Sequence, residues 1–153
     1  QANAVRRAIR LGESCAVPRI SDLHYLIPSL QGKIEFETVE EGKEDQIIAK
    51  LINGAVASVF NSMMDGAAKD SALDGISAAF SEDLSVDVGE AKKADEYGSI
   101  LDSLDGMKEI VSSITDDNTV EMQASCIELV LEGMHLNKLL NKDKLHGEAL
   151  YRM

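Results

Sequence analysis

Aromatic residues are scarce in this chain: it has no Trp and only three Tyr and three Phe among 153 residues. Its core must therefore be aliphatic and rich in Met. Cysteine is equally sparse. Cys15 and Cys126 are too few for a disulfide framework and too far apart for a metal-binding spacing, so both are expected to be free thiols. No apolar run approaches the roughly 20 residues needed to cross a bilayer. Gln1 to Leu11 lacks the apolar stretch and small-residue cleavage site of a signal peptide, so a cytoplasmic location is the default expectation. Positive charge is also in deficit: 15 Lys and Arg stand against 27 Asp and Glu, a net charge of −12. That balance argues against nucleic-acid and anionic-membrane partners, because attraction to phosphate is a sum that acidic neighbours cancel. The one basic concentration is Arg6, Arg7, Arg10 and Arg19.

What remains, 44% hydrophobic and 27% charged, is the composition of a folded chain with room for one core. Ala4, Val5, Ala8, Ile9 and Leu11 recur at helical spacing, with arginines opposite, and predict a helix over 1–13 that Gly12 stops. No cap precedes it, as if it continued an earlier turn. Pro18 suits the first position of a short second helix presenting Ile20, Leu23, Ile27 and Leu30, which Pro28 should bend or shorten. Lys33 to Val39 alternates with period two, as a half-buried strand does, and Leu84 to Val88 is a second β-prone run; the two are expected to pair.

Glu44 to about Met64 predicts a long helix with two adjacent apolar rows, one of Ile47, Leu51, Ala55, Val59 and Met63, the other of Ile48, Ile52, Val56 and Phe60. A shorter helix follows over Asp70 to Phe80. One or two more lie between Ala91 and Ile114, broken near Asp105-Gly106. The last long helix is expected from Asn118, with Glu121 completing a capping box, to about Leu140. Gly54 and Gly133 sit inside the two long helices, each at a propensity cost of about 1 kcal/mol relative to Ala, which suggests that the helices cross there. The tail after Lys142 has no clear period and needs a neighbour to hold Leu150 and Tyr151. The expected class is mainly α, a multi-helix bundle with a small two-stranded β element.

Few side chains are spaced for chemistry. His24, His135 and His146 match no metal pattern, and His24 reads as a partly buried packing residue. Asp65, Asp70 and Asp74, and separately Asp116-Asp117, lack calcium-loop spacing and suit helix ends. No Ser lies in a nucleophile elbow. His135, Asn137, Lys138, Asn141 and Lys142 form a polar row that is either a solvated face or a surface for a partner.

Four stretches carry a likeness to a known family. Ala4-Val5-Arg6-Arg7-Ala8-Ile9-Arg10-Leu11-Gly12-Glu13 resembles the end of the sensor helix in the lid of magnesium-chelatase-like AAA+ ATPases. Val17 to Leu23 resembles the last lid helix, and Leu30 to Glu37 the exit from it. Leu131-Glu132-Gly133-Met134-His135-Leu136-Asn137-Lys138 with Asn141-Lys142 resembles the closing helix of the long bacterial members. From Asn61 to Thr119 only the pattern of helices and strands agrees. The resemblance implies that 1–33 is the end of an AAA+ lid and 34–153 a helical extension. The whole motor would use ATP and Mg, assemble into a ring with neighbouring subunits, and work with a protein carrying a von Willebrand type A domain.

On that reading Arg6, Arg7, Arg10 and Arg19 are candidates to face a nucleotide or a neighbouring subunit, although a solvated basic face is the plainer account of Arg6 and Arg7. The chain has no Gly-rich phosphate loop running into Lys-Ser or Lys-Thr and no apolar strand ending in an acidic pair. It is therefore expected to be non-catalytic and to hold no cofactor itself. The alternative is an autonomous acidic helical interaction module with no connection to an ATPase.

Overall fold

The computed structural model describes residues 1–31, 33–34, 43–81, 84–145 and 148–153. Helix α1 (Ala2–Leu11) ends where Gly12 adopts a left-handed conformation, φ 66°, which turns Glu13 back toward the helix. A 3-10 helix (Ile20–Tyr25) runs into α2 (Leu26–Leu30), and α3 (Glu44–Met63) and α4 (Ala67–Ser81) follow. Strand β1 (Val86–Gly89) leads to a second 3-10 helix (Ala94–Tyr97), α5 (Gly98–Ser103), α6 (Met107–Ile114) and α7 (Val120–Leu136). The chain closes with the antiparallel pair β2 (Asn141–Leu145) and β3 (Glu148–Arg152). The fold is mainly α, with one three-stranded antiparallel sheet in the order β1-β3-β2.

Helix α7 is the centre of the molecule. Ala124, Ile127, Val130, Leu131 and Met134 are fully enclosed, and the helix touches α3, α6 and both 3-10 helices. The core continues through Phe60, Ile76, Phe80, Leu104, Met107 and Ile110, mostly aliphatic with Met, and it takes in Phe60, Phe80, Tyr97 and Tyr151 from the few aromatics available. The break between α5 and α6 falls at Gly106, φ 87°, where an added Cβ would lie 2.6 Å from the Ala72 carbonyl oxygen of α4.

Several local expectations give way to tertiary packing. Helix α1 buries Ala4, Arg7 and Ala8, leaving Val5 46% and Ile9 77% exposed, because the ion pairs of Arg7 set the rotation of the helix. Pro18 lies two residues before the 3-10 helix, whose cap is Arg19 with Asp22 accepting from the Arg19 N–H. Pro28 occupies the first turn of the five-residue α2, where its missing N–H breaks no intrahelical bond. In α3 the row of Ile48, Val56 and Phe60 is buried, while Leu51 and Val59 are exposed. Thr119 caps α7 by accepting from the Met122 N–H, and Glu121 is used elsewhere. Helix α7 also stops at Leu136, short of Leu140. Lys138 takes the left-handed position, φ 64°, with the Lys138 N–H on His135 O and the Leu139 N–H on Met134 O, so two of the last carbonyls are satisfied without a glycine.

One of the two β-prone runs, Leu84 to Val88, takes a strand neighbour that its alternation does not name. Strand β1 pairs with β3, which is the neighbour that holds Leu150 and Tyr151 of the tail, and Tyr151 is buried. Most of the proposed strand over Lys33 to Val39, including Phe36 and Thr38, lies outside the described residues, as do Gly32 and His146. His24 is exposed, because the Ser21 carbonyl takes its Nδ1 hydrogen at the surface of the 3-10 helix.

The glycine pair divides. Gly133 lies against Phe60 of α3, whereas nothing stands within 4 Å of a Cβ built on Gly54. Gly54→Ala is therefore expected to raise stability by up to about 1 kcal/mol through backbone entropy and propensity alone. The urea midpoint measures it, and a loss would mean that Gly54 touches something the structure leaves open.

Candidate functional site

The four arginines are not one surface. Arg7 and Arg19 are each 2% exposed, whereas Arg6 and Arg10 are exposed. The turn at Gly12 brings Glu13 between the buried pair. Its Oε2 accepts from Arg7 Nη1 at 2.6 Å and its Oε1 from Arg19 Nη2 at 2.5 Å and from the Ala94 N–H at 3.1 Å. Arg7 Nη2 donates to Val17 O at 2.7 Å and Asp22 Oδ2 at 3.1 Å, and Asn3 supplies Asp22 Oδ1 at 2.7 Å. Arg19 Nη1 reaches Lys92 O at 2.8 Å, and the guanidinium lies over the Tyr97 ring, 4.9 Å from its centre.

Two guanidinium groups thus meet two carboxylates in a charge-balanced, water-poor cluster. Burial pushes the Asp22 carboxyl up, but hydrogen bonds from Arg7, the Arg19 N–H and Asn3 outweigh it and hold the acid below its ordinary range. Burial likewise opposes the charge on Arg7, yet Asp22 and Glu13 keep that guanidinium more basic than usual.

Three carboxylates of α7 continue the polar path, each tied to a different part of the chain. Glu121 accepts from the Ser14 N–H at 2.7 Å and the Cys15 N–H at 3.4 Å. Glu128 accepts from the Ser21 N–H at 2.7 Å, Ser21 Oγ at 3.2 Å and the Tyr97 hydroxyl at 2.5 Å. Burial raises the Glu128 carboxyl above its normal range despite these donors. Glu132 accepts from the Tyr151 hydroxyl and from Lys142 Nζ, the latter at 2.5 Å. Burial and these acids push both tyrosines up, so both keep their hydroxyl hydrogens at neutral pH.

The polar row suggested for partner contact is divided, with Asn137, Lys138 and Asn141 exposed and His135 and Lys142 half-buried. His135 is half-buried, its Nδ1 3.0 Å from Leu140 O. Asn137 donates to Asn61 Oδ1 at 3.0 Å and to Gly133 O at 2.8 Å. Lys142 turns inward to Glu132, while Lys138 and Asn141 stay exposed. Because α7 ends at Leu136, the last residues of the set follow the chain into β2.

Among the described residues no group of three or more His, Cys, Asp and Glu could hold a metal ion. Cys15 is exposed and Cys126 buried, both free thiols, and no described helix is long and apolar enough to cross a membrane. No family model, no curated protein and no solved structure matches the chain.

Proposed function

We propose that the chain is the non-catalytic end of a ring-forming, magnesium-chelatase-like AAA+ motor, with 1–33 completing the lid and 34–153 carrying lid movement to a neighbouring subunit or partner protein. The supporting observation is the way the first segment is fastened. Ser14, Cys15 and Ser21 bind carboxylates spread along α7, and Ser125 Oγ of α7 donates to Pro18 O at 2.7 Å. A rotation of α1 and the first 3-10 helix would be passed to α7 with little slack, as a relay of lid motion requires.

The outer face of α1 adds support. Val5 and Ile9 are bare beside the exposed Arg6, as the face of a lid helix would be when its ring neighbours are absent. The competing module reading draws on Arg7 and Arg19, whose charges are balanced within the chain.

The reading frame upstream of Gln1 is expected to encode a phosphate-binding loop and an apolar strand ending in an acidic pair. Removing 34–153 from that longer protein should alter ring assembly, ATPase rate or partner binding. A frame without the loop overturns the motor assignment. Unchanged assembly, hydrolysis and binding after the deletion overturn the relay.

A further inference from the structure

The inner face of the sheet is built in two rows. Strand register sets Val86, Tyr151 and Lys142 side by side, then Val88, Ala149 and Lys144. In the first row the Tyr151 ring fills the space beneath α7 and its hydroxyl reaches Glu132. The central position of the second row is Ala149, and a methyl group cannot reach as far as a phenol. The difference leaves a cleft of about 250 Å³ between this row and the first 3-10 helix.

Val88 and Ala149 make an apolar floor, and Ile20 stands on the opposite wall. The β2 side carries two lysines. Lys142 spends one ammonium N–H on Glu132 and keeps two. Lys144 is exposed, with no ion-pair partner among the described residues. Across the opening, His24 donates its Nδ1 hydrogen to Ser21 O at 2.6 Å, which leaves Nε2 for another group.

Two carboxyls border the same space. Glu148 is at the exposed rim, and Glu128 is enclosed and already holds three donors. In a chain of net charge −12, the two lysines match the two carboxyls of the lining, so the cleft is less acidic than the chain around it.

We propose that this cleft binds a small monocarboxylate, its charged head bridging Lys142 and Lys144 and its short apolar body lying over Val88 and Ala149. A cleft of about 250 Å³ is roomy enough to take a short acid of about six carbons. Ligand and floor bury one another's apolar surface, while the lysines supply charge-assisted hydrogen bonds.

The probe is hexanoate, titrated at millimolar concentration into the isotopically labelled chain, with hexanamide and hexylamine as neutral and cationic counterparts. Saturable amide shifts are expected at Ser21, Val88, Gly89 and Ala149, with both counterparts binding about tenfold more weakly. Lys144→Ala, an exposed change that leaves the core alone, should weaken hexanoate about tenfold. Ala149→Leu should fill the cleft and abolish binding while the thermal transition is kept. Absence of saturable shifts, hexylamine binding as tightly as hexanoate, or unaltered affinity in Lys144→Ala or in a folded Ala149→Leu chain would each overturn the assignment.

Discussion

Glu13→Ala is expected to cost about 3–5 kcal/mol of folding stability, the range found when one partner of a buried ion pair is removed. The Glu13 side chain is 0% exposed, and the guanidinium groups it serves are nearly as enclosed. Without it, Arg7 and Arg19 keep their charges, because an arginine cannot shed its proton to escape burial. Arg19 would lose its carboxylate partner, Arg7 would keep only Asp22, and the Ala94 N–H would lose its acceptor. The arginines would have to swing into water, prying α1 from the 3-10 helix. A domain of this kind is stable by about 5–15 kcal/mol, so the variant should sit near the limit of folding.

Urea denaturation reads the loss directly. Glu13→Gln should fall between wild type and Glu13→Ala, since one carbonyl acceptor remains. In a double-mutant cycle Arg7→Met should cost much less in the Glu13→Ala background than in wild type. Additive losses, or a Glu13→Ala penalty under about 1 kcal/mol, would mean that the cluster is wet and loosely held.

The arrangement gives α7 two roles at once. Its apolar stripe closes the core, and Glu121, Glu128 and Glu132 reach out of the same helix to the turn after α1, the first 3-10 helix and the final strand pair. Because these carboxylates meet N–H and O–H donors, each link has a preferred direction as well as an energy, and an apolar contact has only the second. Displacement of any of the three segments therefore acts on one helix. That property is the support for the proposed relay, in which 1–33 would act as the end of a lid and 34–153 as its extension.

The helices were legible because their apolar residues recur over many turns: α3, α4, α6 and α7 lie close to where period alone places them. Gly12 and Gly106 were legible as stops because both positions require φ above zero. The rotation of α1 was not. Val5 and Ile9 outrank Arg7 in hydrophobicity, and only the later arrival of Glu13 and Asp22 makes the arginine face the buried one. The end of α7 was hidden because Lys138, not glycine, takes the left-handed turn. The strand partner of β1 lies some sixty residues further on, a separation that period-two alternation cannot report. The buried acids did leave a signal: Glu128 and Glu132 interrupt the stripe of Ile127, Leu131 and Met134, and a charge inside an apolar stripe marks an internal partner.

Gly133→Ala is expected to destabilise the chain by about 2 kcal/mol, opposite in sign to the same change at Gly54. On helix propensity alone both substitutions should help by about 1 kcal/mol. A Cβ on Gly133, however, would lie 2.1 Å from Cγ and Cδ2 of Phe60 and 2.8 Å from its Cβ. The ring could swing aside, but Phe60 Cβ is bonded directly to the α3 backbone, so the helix itself must retreat. Phe60 is 3% exposed and packed within the core, which leaves little room for that retreat. Pairing the change with Phe60→Leu separates overpacking from a general defect: the smaller side chain should cost less in the Gly133→Ala background than in wild type, because it relieves the crowding it would otherwise turn into a void. If Gly133→Ala instead stabilises the chain as Gly54→Ala does, α3 and α7 do not approach at that point, and the seam between the two long helices lies elsewhere.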